Sequence, residues 1–286
     1  SGSSSTPKIA CHSFKNHFKS AIGSQKHIQI QPGDRYLFSM HLHHIAGLAL
    51  LFRTLTQGAT VSFNHTCIKI THISFLPIQL LRFMREKKKL QLKCILLGGA
   101  PISKEIYTQA LGEGLNVLPS YGMTEMSSTI TSNISENQFS MGHPLPYRKL
   151  KISSDGEILV KGDTLFKGYL NNTQSLSLNL DSNGFFRTGD LGSYCAKKGL
   201  IVEGRKDRLF IYGGNNIQPE EIEKHLMSMN EILHATVKPI KDAEYGYRPF
   251  AYVWANKYIK RQMIIDFLKD WVPIYKIPKH YQIIYI

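Results

Sequence analysis

Between Arg35 and Glu125 the chain alternates short apolar runs with segments of helical spacing, and this alternation restricts the possible architecture most. Arg35–Met40, Thr60–Phe63, His72–Leu76, Leu92–Leu97 and Asn116–Pro119 read as strands. Between them Ile45–Thr56, Pro77–Glu86 and Lys104–Leu111 carry apolar residues at helical spacing, with Gly58 and Gly112 where helices usually stop. A helix over His12–His27 precedes them. Strand and helix alternating in this way predict a layered α/β sheet.

The pattern changes near Gly142. Leu150–Ile152, Glu157–Val160, Phe185–Arg187 and Leu200–Val202 are short strands separated by Gly and Asn/Asp turns, which predicts a small β subdomain. Gly204–Arg208 reads as a linker. Beyond it, Pro219-Glu220-Glu221 caps a helix, Ala235–Pro239 and Phe250–Trp254 read as strands, and Tyr281–Ile286 as a last strand. Lys260–Trp271 reads as a helix whose apolar face is Met263, Ile264, Phe267, Leu268 and Trp271. The expected organisation is therefore an α/β unit over residues 1–142, a β subdomain over 143–205 and a small α+β domain over 206–286. At 286 residues and 42% hydrophobic, the chain can supply two or three cores.

The formal net charge is +14. A basic surface suits nucleotides, coenzyme A, nucleic acid or anionic membranes, or is simply solvated. The cations are spread along the chain, and the run Lys87-Lys88-Lys89 follows an apolar helix, where cations suit the dipole. No nucleic-acid module is recognisable, so no nucleic-acid partner is expected. Cys11, Cys67, Cys94 and Cys195 are far apart and form no C-x-x-C, which argues against a zinc site or disulfide framework and for a reducing cytoplasm. No signal peptide and no transmembrane segment is discernible. Residue 1 is not Met and reads as a processed or truncated end.

Several short motifs carry candidate chemistry. Ser1-Gly2-Ser3-Ser4-Ser5-Thr6-Pro7-Lys8 offers hydroxyls, backbone N–H groups and an ammonium to phosphate oxygens, although it also reads as a flexible Ser-rich terminus. It lacks the Walker pattern. His41, His43 and His44 stand before Ile45-Ala46-Gly47 with no carboxylate or thiol near them in sequence, a poor metal set. His44 reads equally as structural or functional. Gly98-Gly99-Ala100-Pro101 follows an apolar strand, where α/β sheets bind ligands, or is an ordinary turn.

Tyr121-Gly122-Met123-Thr124-Glu125 is the sharpest motif. It puts a flat ring for adenine, a hydroxyl for a phosphate and a carboxylate for Mg²⁺ within one short stretch, and Mg²⁺ prefers oxygen ligands. Thr188-Gly189-Asp190 places a carboxylate after a strand, suited to two ribose hydroxyls, or is a turn. Gly204–Glu223 is the longest. Its Gly213-Gly214 permits close approach to backbone, and its acids Glu220 to Glu223 suit a helix start.

Taken in this order, the motifs resemble the acyl-adenylate-forming enzymes over nearly the whole chain. The resemblance implies part of a large adenylating domain, built of α/β sheet layers plus a β subdomain, followed by a small mobile C-terminal domain. It implies an ATP-dependent ligase that forms acyl-AMP and pyrophosphate from a small-molecule carboxylate, then a thioester with coenzyme A, using Mg²⁺. By resemblance Ser1, Gly2, Ser3, Ser4, Ser5, Thr6 and Lys8 hold phosphates, with Ser5 where the family usually has Gly. His44 borders the carboxylate pocket. Gly99, Ala100, Pro101, Tyr121 and Gly122 surround adenine, Thr124 meets the α-phosphate and Glu125 the metal. Asp190 takes the ribose and Arg205 the ribose or phosphate. Asp207 is the hinge, and Gly213 and Gly214 pass the pantetheine arm.

Within the family, His44-Ile45-Ala46-Gly47-Leu48, Gly204–Glu223 and Glu244-Tyr245-Gly246-Tyr247-Arg248-Pro249 are similar to the o-succinylbenzoate–CoA ligases of menaquinone synthesis. The alternatives are a ligase for another aryl or fatty acid, or a remnant that binds nucleotide without turnover. A homo-oligomer is compatible with the family. Family members carry a long segment before the phosphate loop and a Gly-Lys near the C-terminus whose Lys promotes adenylation. Neither is in this sequence, so residues 1–286 alone are expected to adenylate poorly.

Overall fold

Apolar runs buried on both faces need cover on two sides, which a parallel sheet flanked by its crossover helices supplies. The computed structural model, which describes residues 8–63, 69–86, 90–134, 138–171, 175–242 and 245–286, has this arrangement in its first half. The elements there are β1 (Ile9–Cys11), α1 (Phe14–Ile28), β2 (Arg35–Leu37), α2 (Ile45–Thr56), β3 (Thr60–Ser62), β4 (His72–Phe75), α3 (Pro77–Arg85), β5 (Cys94–Leu97), α4 (Lys104–Gly112), β6 (Val117–Met123), β7 (Ser128–Ser132) and β8 (His143–Pro144). They build a seven-stranded sheet of order β3-β2-β4-β5-β6-β7-β8. Neighbours from β3 to β6 are parallel, and β7 and β8 are added antiparallel. Every residue of β4 and β5 is buried. Ile28, Ile30, Tyr36, Leu50, Leu96 and Leu118 form a core between helices and sheet.

Local signals fix the helix ends. Ser13 caps α1 by accepting from Asn16 N, while Asn16 Oδ1 accepts from Ser13 N at 2.8 Å, a reciprocal capping box. Pro77 opens α3 at a position whose N–H has no intrahelical partner to lose.

The strands that follow are β9 (Arg148–Ile152), β10 (Glu157–Gly162), β11 (Gly168–Leu170), β12 (Leu176–Ser177), β13 (Phe186–Cys195) and β14 (Gly199–Arg205). One sheet runs β14-β13-β10-β9 and a smaller one β1-β11-β12. Two expectations are corrected here. The strands expected at Phe185–Arg187 and Leu200–Val202 are much longer, because backbone pairing continues through the polar Thr188–Asp190 and Glu203–Arg205. For the same reason the linker expected at Gly204–Arg208 begins as strand and continues as a single 3₁₀ turn over Lys206–Arg208.

The chain divides into two compact units. One runs to Thr188 and takes in Ser193–Ile201. The other comprises Gly189–Gly192 and Val202–Ile286. The second unit contains β15 (Phe210–Tyr212), β16 (Asn215–Ile217), α5 (Pro219–Leu226), β17 (Ile232–Asp242), β18 (Gly246–Ala255), α6 (Arg261–Lys269) and β19 (His280–Tyr285). Its sheet runs β16-β15-β18-β17, with β19 parallel to β18. Ile217, Ile222, Leu226, Val237, Val253, Ile264 and Leu268 form its core. The apolar face of α6 is narrower than its spacing suggests. Ile264 and Leu268 are buried, whereas Met263 and Trp271 are about half exposed and Trp271 stacks on His225.

Among the described residues no helix is long and apolar enough to cross a membrane. Cys11, Cys94 and Cys195 are free thiols, and burial pushes the Cys94 thiol up to about 12. Cys67 and Lys87–Lys89 lie outside the described residues.

The first unit carries a built-in acid sensitivity. The His12 ring bonds Ser127 Oγ at 3.0 Å and lies 4.9 Å from the His17 ring. Burial, and then the neighbouring His17, hold its pKa at about 4, below the ordinary 6.5. Between these values the unfolded chain binds more protons than the folded one, so stability rises with pH and is lost as pH falls from about 6.5 towards about 4. Thermal melts across that window should show this loss, and His12→Asn should flatten it. An unchanged slope in the variant would remove His12 as the cause.

Candidate functional site

In the first unit the parallel register of β5 and β6 pairs Leu97 with Pro119. The loop Gly98–Pro101 therefore leaves β5 beside Ser120 and Tyr121 of β6, and Ser120 Oγ donates to Leu97 O at 2.9 Å. Two motifs that are separate in sequence thus lie side by side at the carboxyl ends of adjacent parallel strands. Tyr121 is buried, while Gly99, Ala100 and Pro101 are exposed. Strand β6 runs on to Met123, and Thr124–Met126 follows it as one 3₁₀ turn. A side chain at Gly122 would put its Cβ 2.4 Å from Ser128 O, so β7 can return this closely only over glycine.

The return itself is strained. Ser127 and Ser128 have φ of 53° and 102°, unfavourable for residues with a Cβ. Hydrogen bonds hold the turn: Ser127 Oγ donates to Thr164 O at 2.9 Å, and Ser20 Oγ donates to Ser127 O at 2.7 Å. Backbone strain supported in this way is characteristic of functional sites.

Glu125 is 7% exposed. Its backbone oxygen accepts from Phe166 N at 2.8 Å, and its carboxylate Oε1 accepts from the Tyr169 hydroxyl. The ammonium of Lys8 lies 5.2 Å from the centre of the same Tyr169 ring. Lys8, Tyr169 and Glu125 therefore form one contiguous group. Ser1, Gly2, Ser3, Ser4, Ser5 and Thr6 lie outside the described residues.

The donor set at Glu125 suits Mg²⁺. Among the described residues no group of three or more His, Cys, Asp or Glu side chains could hold a metal, so these residues form no all-protein cage. One buried carboxylate with a Thr hydroxyl adjacent in sequence matches the way Mg²⁺ is bound, through a carboxylate or two plus substrate phosphates and water. His44 stands at the N-cap position of α2 without a side-chain capping bond, and its ring lies against His41 and His43.

Arg53 was not singled out by the sequence reading. It is 3% exposed on α2, and its Nη2 donates to Ser128 Oγ at 3.0 Å and Thr129 Oγ1 at 2.8 Å. Its Nε–H has no partner among the described residues, and burial lowers its pKa against the opposing effect of Tyr36. A cation inside the apolar run Leu48–Thr56 was the available signal. Tyr169 had none, because its contact with Glu125 exists only once β1 pairs with β11.

In the second unit, Arg205 joins two carboxylates. Its Nη1 donates to Asp190 Oδ1 at 3.1 Å, and its Nε and Nη2 hold both oxygens of Asp207 at 3.1 Å. This fork, despite the opposing effect of partial burial, holds the Asp207 carboxyl below its ordinary range. Arg208 bonds Glu220 at 2.8 Å and Glu223 at 2.6 Å, tying the 3₁₀ turn to α5. Gly213 and Gly214 make the β15–β16 turn with φ of 54° and 81°. Beside them Tyr212, Tyr245, Arg248 and Lys279 line a cleft of about 410 Å³.

The model of the AMP-binding enzyme family matches residues 1–170, more than half the chain, and the chain belongs to that family. It is similar to the 2-succinylbenzoate–CoA ligase of Escherichia coli K12, being 34% identical over an alignment of 257 residues that covers 88% of this chain and 56% of that protein. Among solved structures it is similar to the o-succinylbenzoate CoA synthetase (MenE) of Bacillus subtilis in complex with the acyl-adenylate intermediate OSB-AMP. The TM-score is 0.90 at 32% identity, covering 99% of this chain and 64% of that one. The same enzyme in complex with ATP and magnesium ion gives 0.86 at 32% identity, covering 96% and 63%. The chain spans between 56% and 65% of the length of the curated relatives it matches first.

The Arg205 fork makes a direct prediction. In Arg205→Gln the Asp207 carboxyl should rise back towards its ordinary pKa, as read by carboxyl-carbon NMR titration. An unmoved Asp207 would show that the fork is absent in solution.

Proposed function

We propose that this chain carries the nucleotide-handling part of an AMP-forming acid–thiol ligase acting on 2-succinylbenzoate. The observation that carries this reading is the adjacency of Gly98–Pro101 and Tyr121–Glu125 on β5 and β6, with Glu125 buried and grouped with Lys8. The names of its relatives, 2-succinylbenzoate–CoA ligases, support the same chemistry.

In the first step an oxygen of the acyl carboxylate attacks the α-phosphorus of ATP, and pyrophosphate leaves. Adenine rests against Tyr121, Gly122 and the Gly99–Pro101 loop. The Thr124 hydroxyl donates to an α-phosphate oxygen, and the Lys8 ammonium neutralises phosphate charge as it redistributes. Glu125 holds Mg²⁺, which supplies charge neutralisation at the phosphates when bound. Asp190 accepts the ribose hydroxyls, with Arg205 beside it. His44 borders the acyl carboxylate.

In the second step the thiol sulfur of coenzyme A attacks the acyl carbon, and AMP leaves. Gly213 and Gly214 give the pantetheine arm a close path along the backbone. Residues 206–286 are the small domain, with Asp207 as its hinge. Arg53 supports an acyl group bearing a second acid. Among the described residues no carboxylate pairs with this buried guanidinium, and 2-succinylbenzoate has two carboxylates. Free thiols at Cys11, Cys94 and Cys195 support the reducing cytoplasm as its compartment.

In a full-length protein that contains this chain, the test follows pyrophosphate release with ATP, Mg²⁺ and a panel of aryl and fatty acids, then thioester formation by mass spectrometry once coenzyme A is added. Thr124→Ala should lower the first step by about 10²- to 10³-fold, the loss typical of one preorganised donor. Arg53→Met should raise KM for 2-succinylbenzoate more than for acids with one carboxylate. Equal turnover of fatty acids would end the substrate assignment, and failure of the chain to bind ATP or AMP would end the reading itself.

A further inference from the structure

The contact between Tyr169 and Glu125 is placed by backbone pairing rather than by chance proximity. Strand β1 pairs with β11 so that Ala10 faces Tyr169, and on the other side β12 sets Ser177 against Tyr169. Lys8 immediately precedes β1, so this register also brings its ammonium over the Tyr169 ring. The ring is packed edge-on against Phe166, with centroids 4.9 Å apart at 76°, and Phe166 in turn packs on Phe186 at 5.5 Å and 87°. Phe166 N holds the backbone of Glu125 at 2.8 Å. Backbone and side chain of Glu125 are thus held by one short segment, Phe166–Tyr169, and the same segment holds Lys8.

We propose that Tyr169 is a positioning residue for the metal–nucleotide complex: its hydroxyl aims the Glu125 carboxylate and its ring face sets Lys8. This rests on the reading of Glu125 as the metal ligand. A hydroxyl donated to Oε1 fixes the rotation of the carboxylate about its last bond, a torsion that is otherwise broad. A cation over a tyrosine face is attracted to the ring quadrupole, which holds the Lys8 ammonium at that face. Tyr169 touches neither reacting atom and acts through the two groups that do.

The test uses the full chain with Mn²⁺ as the metal probe and a non-hydrolysable ATP analogue. Bound Mn²⁺ is read by electron paramagnetic resonance, and metal-free analogue binding by calorimetry. Tyr169→Phe should weaken Mn²⁺ in the ternary complex by about ten-fold, as expected for losing one hydrogen bond to a charged group, with metal-free analogue binding nearly unchanged. Glu125→Gln should also weaken Mn²⁺, and the double variant should be no weaker than Glu125→Gln alone, since both changes act through one carboxylate. Melting temperatures check that each variant is folded.

If Glu125→Gln loses Mn²⁺ while Tyr169→Phe binds like wild type, the inference fails and the reading of Glu125 stands. If Tyr169→Phe loses metal-free and metal-bound binding alike, or melts far below wild type with Mn²⁺ affinity kept, Tyr169 is a scaffold residue and the inference fails. If Glu125→Gln binds Mn²⁺ like wild type, or the wild-type chain binds no analogue, the reading and the inference fall together.

Discussion

The parallel pairing of β5 with β6 is the constraint on which the first unit's candidate site depends. It lays the Gly98–Pro101 loop against Tyr121 and sends the chain on through Met123 to Thr124 and Glu125. The pairing holds because Cys94–Leu97 and Val117–Pro119 are buried. Residues placed by such a buried sheet inherit its rigidity, whereas the exposed loops beyond the strands are free to meet a ligand. Rigidity then passes outward through single hydrogen bonds, from Ser127 to Thr164 and from Phe166 to Glu125.

The second unit is organised by charge as much as by packing. Arg208 is bonded by Glu220 and Glu223 and also donates to Val237 O at 3.2 Å, while Glu223 Oε1 accepts from Val237 N at 2.7 Å. The 3₁₀ turn, α5 and β17 are thereby locked together. Arg205, three residues earlier, instead faces Asp190 and the exposed Asp207. Two similar side chains in one short motif thus make different ties within the same unit, one to α5 and β17 and the other to Asp190 and Asp207.

What the sequence made legible follows from burial. The runs His72–Leu76 and Leu92–Leu97 announced β4 and β5 because strands covered on both faces must be apolar throughout. Ile45–Thr56 announced α2 in the same way, to the residue. Polar strands gave no such signal. The pairing of β13 through Thr188–Asp190 and of β6 through Gly122 is made by the backbone, which is indifferent to side-chain polarity. Among candidate site residues, Thr124, Glu125 and Asp190 were visible as short polar motifs after strands. Tyr169 and the link from Arg205 to Asp190 were not, because each exists only once separate strands are in register. Arg53 was visible but unread, as a cation in an apolar helix.

The left-handed pair Ser127-Ser128 sets limits on how this chain can drift. Its backbone persists because the Ser127 hydroxyl ties it to Thr164 O and the Ser20 hydroxyl ties it to α1. Residue 127 therefore has to keep both a hydroxyl and a positive φ, a narrow demand on any side chain. The Thr164 end is freer, because it offers only a backbone oxygen, which every residue carries.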